Sequence, residues 1–134
     1  MIALRAAVLA VALAGFAAAP AHAQPATPLP SALTLTVTKG EAPGPAPGQR
    51  TVLLICSPTV GGTHPDAAAA CAELAAAGGD FDRLHGHPMR FCPMIYDPVT
   101  LAADGVWNGV PVSYRHTYAN SCEALNRSTD VFAF

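Results

Sequence analysis

Cysteine, proline and a large apolar side chain stand together at Cys92-Pro93-Met94-Ile95-Tyr96-Asp97-Pro98. Pro93 fixes its own φ and pushes Cys92 toward extended geometry, Pro98 does the same to Asp97, and two backbone N–H groups are missing. A central strand tolerates neither proline well. Apolar runs are usually buried, so Met94 and Ile95 as the core of a strand is the plainer alternative. The prolines and the cysteine favour a stiff, extended loop presenting Met94 and Ile95. A rigid extended segment with an apolar apex has the shape of a peptide entering a protease cleft as substrate, and a disulfide at Cys92 would hold it so. Inhibition of a protease is the function this run points to.

The other reactive side chains support that reading by what they exclude. Cys56, Cys71, Cys92 and Cys122 form an even set without a Cys-x-x-Cys pair, a pattern of two disulfides rather than a zinc site. Four cysteines allow three pairings. Joining Cys56 to Cys71 and Cys92 to Cys122 would close loops of about 15 and 30 residues, each contributing roughly 3 kcal/mol in the chain-entropy model. The sequence does not select among the three. His85 and His87 lie two apart in a polar stretch without a third ligand, so no metal and no cofactor is expected. Asn126-Arg127-Ser128 matches the glycosylation acceptor pattern and carries little weight. An enzyme would need a nucleophile beside a base, yet no Gly-x-Ser-x-Gly occurs and the thiols read as oxidised. The rival to inhibition is a disulfide-stabilised secreted module whose loop recognises a partner other than a protease.

Residues 1–23 read as a secretory signal peptide. Arg5 precedes a short Ala-rich apolar stretch, and Ala21-His22-Ala23 supplies a small-x-small cleavage pattern. The expected location is extracellular, with no membrane association after signal removal. Of the 134 residues, 111 remain, enough for one domain with one modest core. Six basic residues then face nine acidic ones, a net charge of about −3. The basic residues are scattered singly, so a nucleic-acid partner is not expected.

Residues 24–30 are proline-rich and aperiodic, a flexible arm before a domain at 31–134. Leu33-Thr34-Leu35-Thr36-Val37-Thr38 alternates with the period of a strand, and Gly40 to Gln49 is an exposed connection. Thr51 to Ser57 is continuously apolar and reads as a central strand. Thr63 or His64 is placed to cap a helix over Ala67 to Ala77, with Pro65 near its start and Gly78-Gly79 at its end. Its apolar face keeps Cys71 on the buried side. Asn108-Gly109 predicts a type I′ hairpin between Val99–Trp107 and Val110–Tyr118, with a bulge or bend at Asp104-Gly105. Trp107 is read as a packing residue. Ser121 to Asn126 suits a short helix, and Val131 to Phe134 alternates like a last strand.

Together these segments resemble the Streptomyces subtilisin inhibitor family of secreted serine-protease inhibitors. The resemblance rests on Ser31-Ala32-Leu33-Thr34-Leu35-Thr36-Val37, Gly62-Thr63-His64-Pro65, Cys71-Ala72-Glu73-Leu74-Ala75, Gly78-Gly79-Asp80, Cys92 through Val99, Asp104-Gly105-Val106-Trp107, Val112-Ser113-Tyr114 and Val131-Phe132-Ala133-Phe134. It implies an α+β two-layer sandwich, with a roughly five-stranded antiparallel sheet, two helices on one face and two disulfides. It implies the pairs Cys56 with Cys71 and Cys92 with Cys122, a scissile bond between Met94 and Ile95, and a homodimer through the sheet. The implied partner is a subtilisin-like serine protease, or a chymotrypsin-like one, because an unbranched apolar side chain suits their pockets rather than the acidic pocket of trypsin. Phe91 would fill a further apolar subsite, Cys92 and Pro93 would hold the shape, and Ile95 and Tyr96 would lie on the leaving side. Two departures from the family pattern are His85-Gly86-His87-Pro88 and Phe91 itself.

Overall fold

The alternation of Leu33, Leu35 and Val37 with threonines folds as strand β1, Ser31–Lys39, whose three aliphatic side chains are buried. A computed structural model describes residue 15 and residues 18–42, 46–86 and 90–134. Most of the expected signal segment, and His87, lie outside the described residues. Strands β2 (Arg50–Ser57), β3 (Gly61–Gly62), β4 (Val99–Trp107) and β5 (Val110–Tyr118) join β1 in one antiparallel sheet of order β3-β2-β1-β4-β5. Helices α1 (Ala67–Ala76) and α2 (Ser121–Leu125) complete the two-layer α+β sandwich. The expected fold class is the observed one.

The inner face of the sheet carries Leu33, Leu35, Leu54, Leu101 and Ala103, and against them pack Ala70, Cys71 and Leu74 of α1, Ala77 just after it, and Ala124 of α2. Small residues on α1 let the helix approach the sheet closely. The Cys56–Cys71 disulfide, with Cα atoms 5.5 Å apart, ties α1 to β2. The opposite face is mostly polar: Thr34 lies beside Leu53 on one side and Asp104 on the other, and Thr36 beside Thr51 and Ala102.

Several local expectations change. Continuous apolarity marks Thr51 to Ser57 as central, yet β2 meets β1 along its length and meets β3 only at Leu54 and Ile55. The chain turns away at Pro58 and returns for two glycines only, so β1 and β4 are the central strands and Leu53 is exposed. Asp66, not Thr63 or His64, caps α1, its carboxylate accepting from the Ala69 N–H at 3.1 Å. His64 is buried instead. Its Nδ1 accepts from the Asp66 N–H at 3.0 Å, which leaves Nε2 to donate to the Val131 carbonyl at 3.1 Å.

The Val131 to Phe134 segment is not a strand. The Glu73 carboxylate accepts from the Ser128 hydroxyl and from the N–H groups of Thr129, Asp130 and Val131, at 2.7 to 3.1 Å. Those donors, once bound to a carboxylate, are lost to any ladder, and charge-assisted bonds are the stronger choice. Val131 and Phe132 still enter the core, through packing rather than pairing. The Phe132 ring lies near Phe81, which itself stacks on Tyr114 with centroids 5.0 Å apart.

The hairpin at Asn108-Gly109 forms as read, with φ of 48° and 76°. Asp104-Gly105 makes no bulge, because pairing to β1 and β5 runs unbroken through both residues. Gly105 is required for another reason: its φ is 148°, and a Cβ there would collide with the Ala32 carbonyl on β1. Gly105→Ala is expected to cost about 3 kcal/mol and to lower Tm by roughly 10 to 20 °C in a thermal melt. A melt within experimental error of the parent would overturn that account. Trp107 packs against the core as expected, its indole filling the space above Gly79 where a side chain would otherwise sit.

Candidate functional site

Residues Arg90 to Pro98 adopt no regular secondary structure and lead directly into β4. Phe91 is 97 % exposed, Met94 104 %, Ile95 58 % and Tyr96 68 %. Met94 and Ile95 are therefore not core, which decides against the buried-strand alternative. Four apolar side chains in one short solvated segment are unusual for an isolated soluble chain and mark a contact surface.

What holds this segment is assembled from the other side of the molecule. The Cys92–Cys122 disulfide, Cα atoms 5.6 Å apart, fastens its first half to α2. Asn126, which follows α2, donates from Nδ2 to the Arg90 carbonyl at 3.0 Å and to the Cys92 sulfur at 3.4 Å. The amide of the glycosylation-pattern asparagine is thus engaged with the loop. Asn120 sits at the N-terminus of α2, where its Oδ1 accepts from the Glu123 N–H at 3.0 Å. That cap orients the amide, so Nδ2 faces the loop and donates to the Pro93 carbonyl at 3.1 Å and the Ile95 carbonyl at 3.0 Å. The two carbonyls flank Met94. One buried side chain therefore fixes the backbone on both sides of the most exposed residue in the loop.

The second half of the loop is held by Ala119 and by the residues that follow β1. The Asp97 N–H donates to the Ala119 carbonyl at 2.8 Å, and the Gly40 N–H donates to the Pro98 carbonyl at 2.8 Å. Tyr96 donates its hydroxyl to the Glu41 carboxylate. Lys39 and Asp97 approach to 3.9 Å, but both are largely exposed and such a pair contributes little. An open hollow beside the apex is lined by Met94, Ile95, Tyr96, Ala119, Asn120 and Glu123.

Burial, reinforced by the hydrogen bond to Tyr118, pushes the Tyr114 hydroxyl well above its ordinary value, but Tyr114 belongs to the aromatic cluster under the sheet. No cluster of three metal-ligating side chains occurs among the described residues. His85 borders a separate hollow with Glu73 and Arg83.

Phe91, Cys92, Pro93, Met94, Ile95 and Tyr96 are brought together as one surface, and Cys56 with Cys71 stands apart as a core staple. Sequence reasoning missed Asn120, Asn126 and Glu41. Only Asn120 leaves a local trace, as an N-cap residue before Ser121-Cys122-Glu123.

The family model described as subtilisin inhibitor-like matches residues 29–120. The chain is 50 % identical over 117 residues to the subtilisin inhibitor of Streptomyces albogriseolus, covering 87 % of this chain and 81 % of that one. It is 45 % identical to a trypsin inhibitor of Streptomyces longisporus with the same coverage. Among solved structures, it is similar to Streptomyces caespitosus sermetstatin in complex with Bacillus licheniformis subtilisin, at a TM-score of 0.67 and 41 % identity, over 78 % of this chain and 99 % of that one. With the family model matching residues 29–120 and half of the aligned residues identical to the Streptomyces albogriseolus inhibitor, the chain belongs to the subtilisin inhibitor-like family.

Proposed function

We propose that this protein is a secreted inhibitor of subtilisin-like serine proteases, that Met94 and Ile95 flank the bond presented to the enzyme, and that it acts outside the cell after loss of residues 1–23. The observation that carries the reading is the geometry at Met94: a fully solvated apolar side chain whose two neighbouring carbonyls are both held by Asn120. A flexible peptide loses backbone and side-chain freedom on entering a cleft, whereas this loop has lost most of it beforehand. Met94 fills the primary pocket, Phe91 a further apolar subsite, and the extended backbone adds strand-like pairing with the enzyme. If the Met94 to Ile95 bond is cut, the Cys92–Cys122 bridge and β4 keep both ends near the acyl-enzyme, so the bond can re-form.

The relatives support the class of activity: one is named a subtilisin inhibitor, and the similar solved structure is a complex with subtilisin. Pairing of two copies through the polar sheet face around Thr34, Thr36 and exposed Leu53 leaves both loops free, giving one protease per subunit. Titrating subtilisin with micromolar protein on a small peptide substrate should abolish activity at one inhibitor chain per enzyme, as expected of a preorganised interface of about 1,600 Å². Light scattering of the complex should give two chains and two proteases. Full activity at that concentration would sink the reading, and binding without loss of proteolysis would replace it with a non-protease partner.

A further inference from the structure

The two halves of the loop are not held alike. Upstream of Met94 a covalent bridge and three contacts from two asparagines fix the chain, while downstream the anchors are hydrogen bonds and one exposed ion pair until β4 begins at Val99. Apart from the exposed Lys39–Asp97 pair, the Tyr96 to Glu41 contact is the one among the described residues there that joins two side chains, and it reaches 55 residues back along the sequence. Glu41 is itself held in place. The Thr100 hydroxyl contacts the Gly40 carbonyl at 2.7 Å, the Thr117 hydroxyl reaches the Glu41 carbonyl at 3.4 Å, and the Gly40 N–H binds the Pro98 carbonyl. The carboxylate therefore stands on the end of the sheet, not on a free arm.

We propose that Glu41 is a positioning residue for the leaving side of the inhibitory loop, acting through the Tyr96 hydroxyl to hold the Ile95 amine where the bond can re-form. This rests on the inhibitor reading above. Cleavage breaks the bond between the Met94 carbonyl carbon and the Ile95 nitrogen, passes the acyl group to the serine of the protease and leaves Ile95 as a protonatable amine. Religation is the reverse: the Ile95 nitrogen attacks the acyl carbon, the serine oxygen leaves and recovers a proton, and no water is consumed. Water competes for the same acyl carbon. Upstream, the acyl half stays in place through Cys92 and the enzyme. Downstream, the amine stays only as near as the contacts at Ile95, Tyr96 and Asp97 keep it, and each freed torsion lowers its effective concentration. Glu41 touches neither the bond nor the enzyme pocket, so its effect falls on partitioning between religation and hydrolysis.

The experiment is a double-mutant cycle of Glu41→Ala and Tyr96→Phe in the full secreted chain, with Glu41→Gln as the conservative variant. The readouts are the ratio of cut to intact inhibitor against time with catalytic amounts of subtilisin, measured by mass spectrometry, and the rate of cleavage after Met94. Glu41→Ala and Tyr96→Phe should each raise the cut fraction and the cleavage rate about five-fold, the scale of one exposed charge-assisted hydrogen bond. The double variant should add little to either, and Glu41→Gln, which keeps an acceptor oxygen, should recover most of the loss. Melting temperatures should stay within about 2 °C of the parent, since Glu41 is on the surface. Independent, additive effects, or a Glu41→Ala variant with parental partitioning, would overturn the clasp while leaving inhibition intact. A parent chain that does not inhibit subtilisin at all would remove both.

Discussion

Met94→Lys is expected to turn the protein into an inhibitor of trypsin and to weaken its hold on subtilisin. The side chain is fully solvated, so the exchange changes no packing and should leave the fold and Tm unaltered. Its consequence lies in the enzyme. In the acidic pocket of trypsin the lysine ammonium gains a desolvated opposite charge, whereas methionine leaves that carboxylate buried and unpaired, a penalty of several kcal/mol. The gain in trypsin affinity should be on the order of 10³-fold. In an apolar subtilisin pocket the same ammonium must shed water with no partner, so affinity there should fall. Inhibition constants from progress curves with both enzymes test this. If Met94→Lys gains nothing against trypsin, Met94 is not the residue that selects the enzyme.

Joint replacement of Cys92 and Cys122 by alanine should turn the inhibitor into a substrate. The bridge closes a loop of 30 residues, worth roughly 3 to 4 kcal/mol in the chain-entropy model, and it is the one covalent tie on the acyl side of Met94. Without it, the Arg90 to Pro93 backbone keeps only the Asn120 and Asn126 contacts, one of which points at the Cys92 sulfur that the change removes. Affinity for subtilisin should fall by roughly 10² to 10³-fold as the ordering cost returns to the binding step. Mass spectrometry should show progressive cleavage after Met94 without re-formation. Because Cys56–Cys71 and the sheet are untouched, circular dichroism should still report the folded domain. A double variant that inhibits as the parent does would move the source of rigidity to the asparagines.

Much of the scaffold is legible without coordinates, where short-range rules govern. The alternation at Leu33 to Thr38, the Asn108-Gly109 turn and the glycines ending α1 express backbone preferences that act within a few residues. The failures arise where a distant group outbids a local preference. Val131 to Phe134 has strand periodicity, yet the Val131 N–H goes to the Glu73 carboxylate, the Phe132 N–H to the Ser128 hydroxyl, and the ring of His64 reaches the Val131 carbonyl. Gly105 reads as a bulge, whereas its need arises from the Ala32 carbonyl on the neighbouring strand.

The loop divides the same way. Its stiffness and apolar content follow from Pro93, Pro98, Met94 and Ile95 as written, because a proline fixes φ wherever it stands. Whether that stiff run is buried or presented is a tertiary decision, and so is the set of groups beneath it. Asn120 reaches carbonyls 27 and 25 residues earlier, and Glu41 meets a hydroxyl 55 residues later, because the β4–β5 hairpin and the β1–β4 pairing fold those segments to one end of the sheet. A rigid apolar segment beside an oxidisable cysteine is written in the residues themselves. Only the folded chain decided that it would stand clear of the core with both flanks tied, since side-chain contacts across such separations exist only once long-range strand pairing has closed the loops between them.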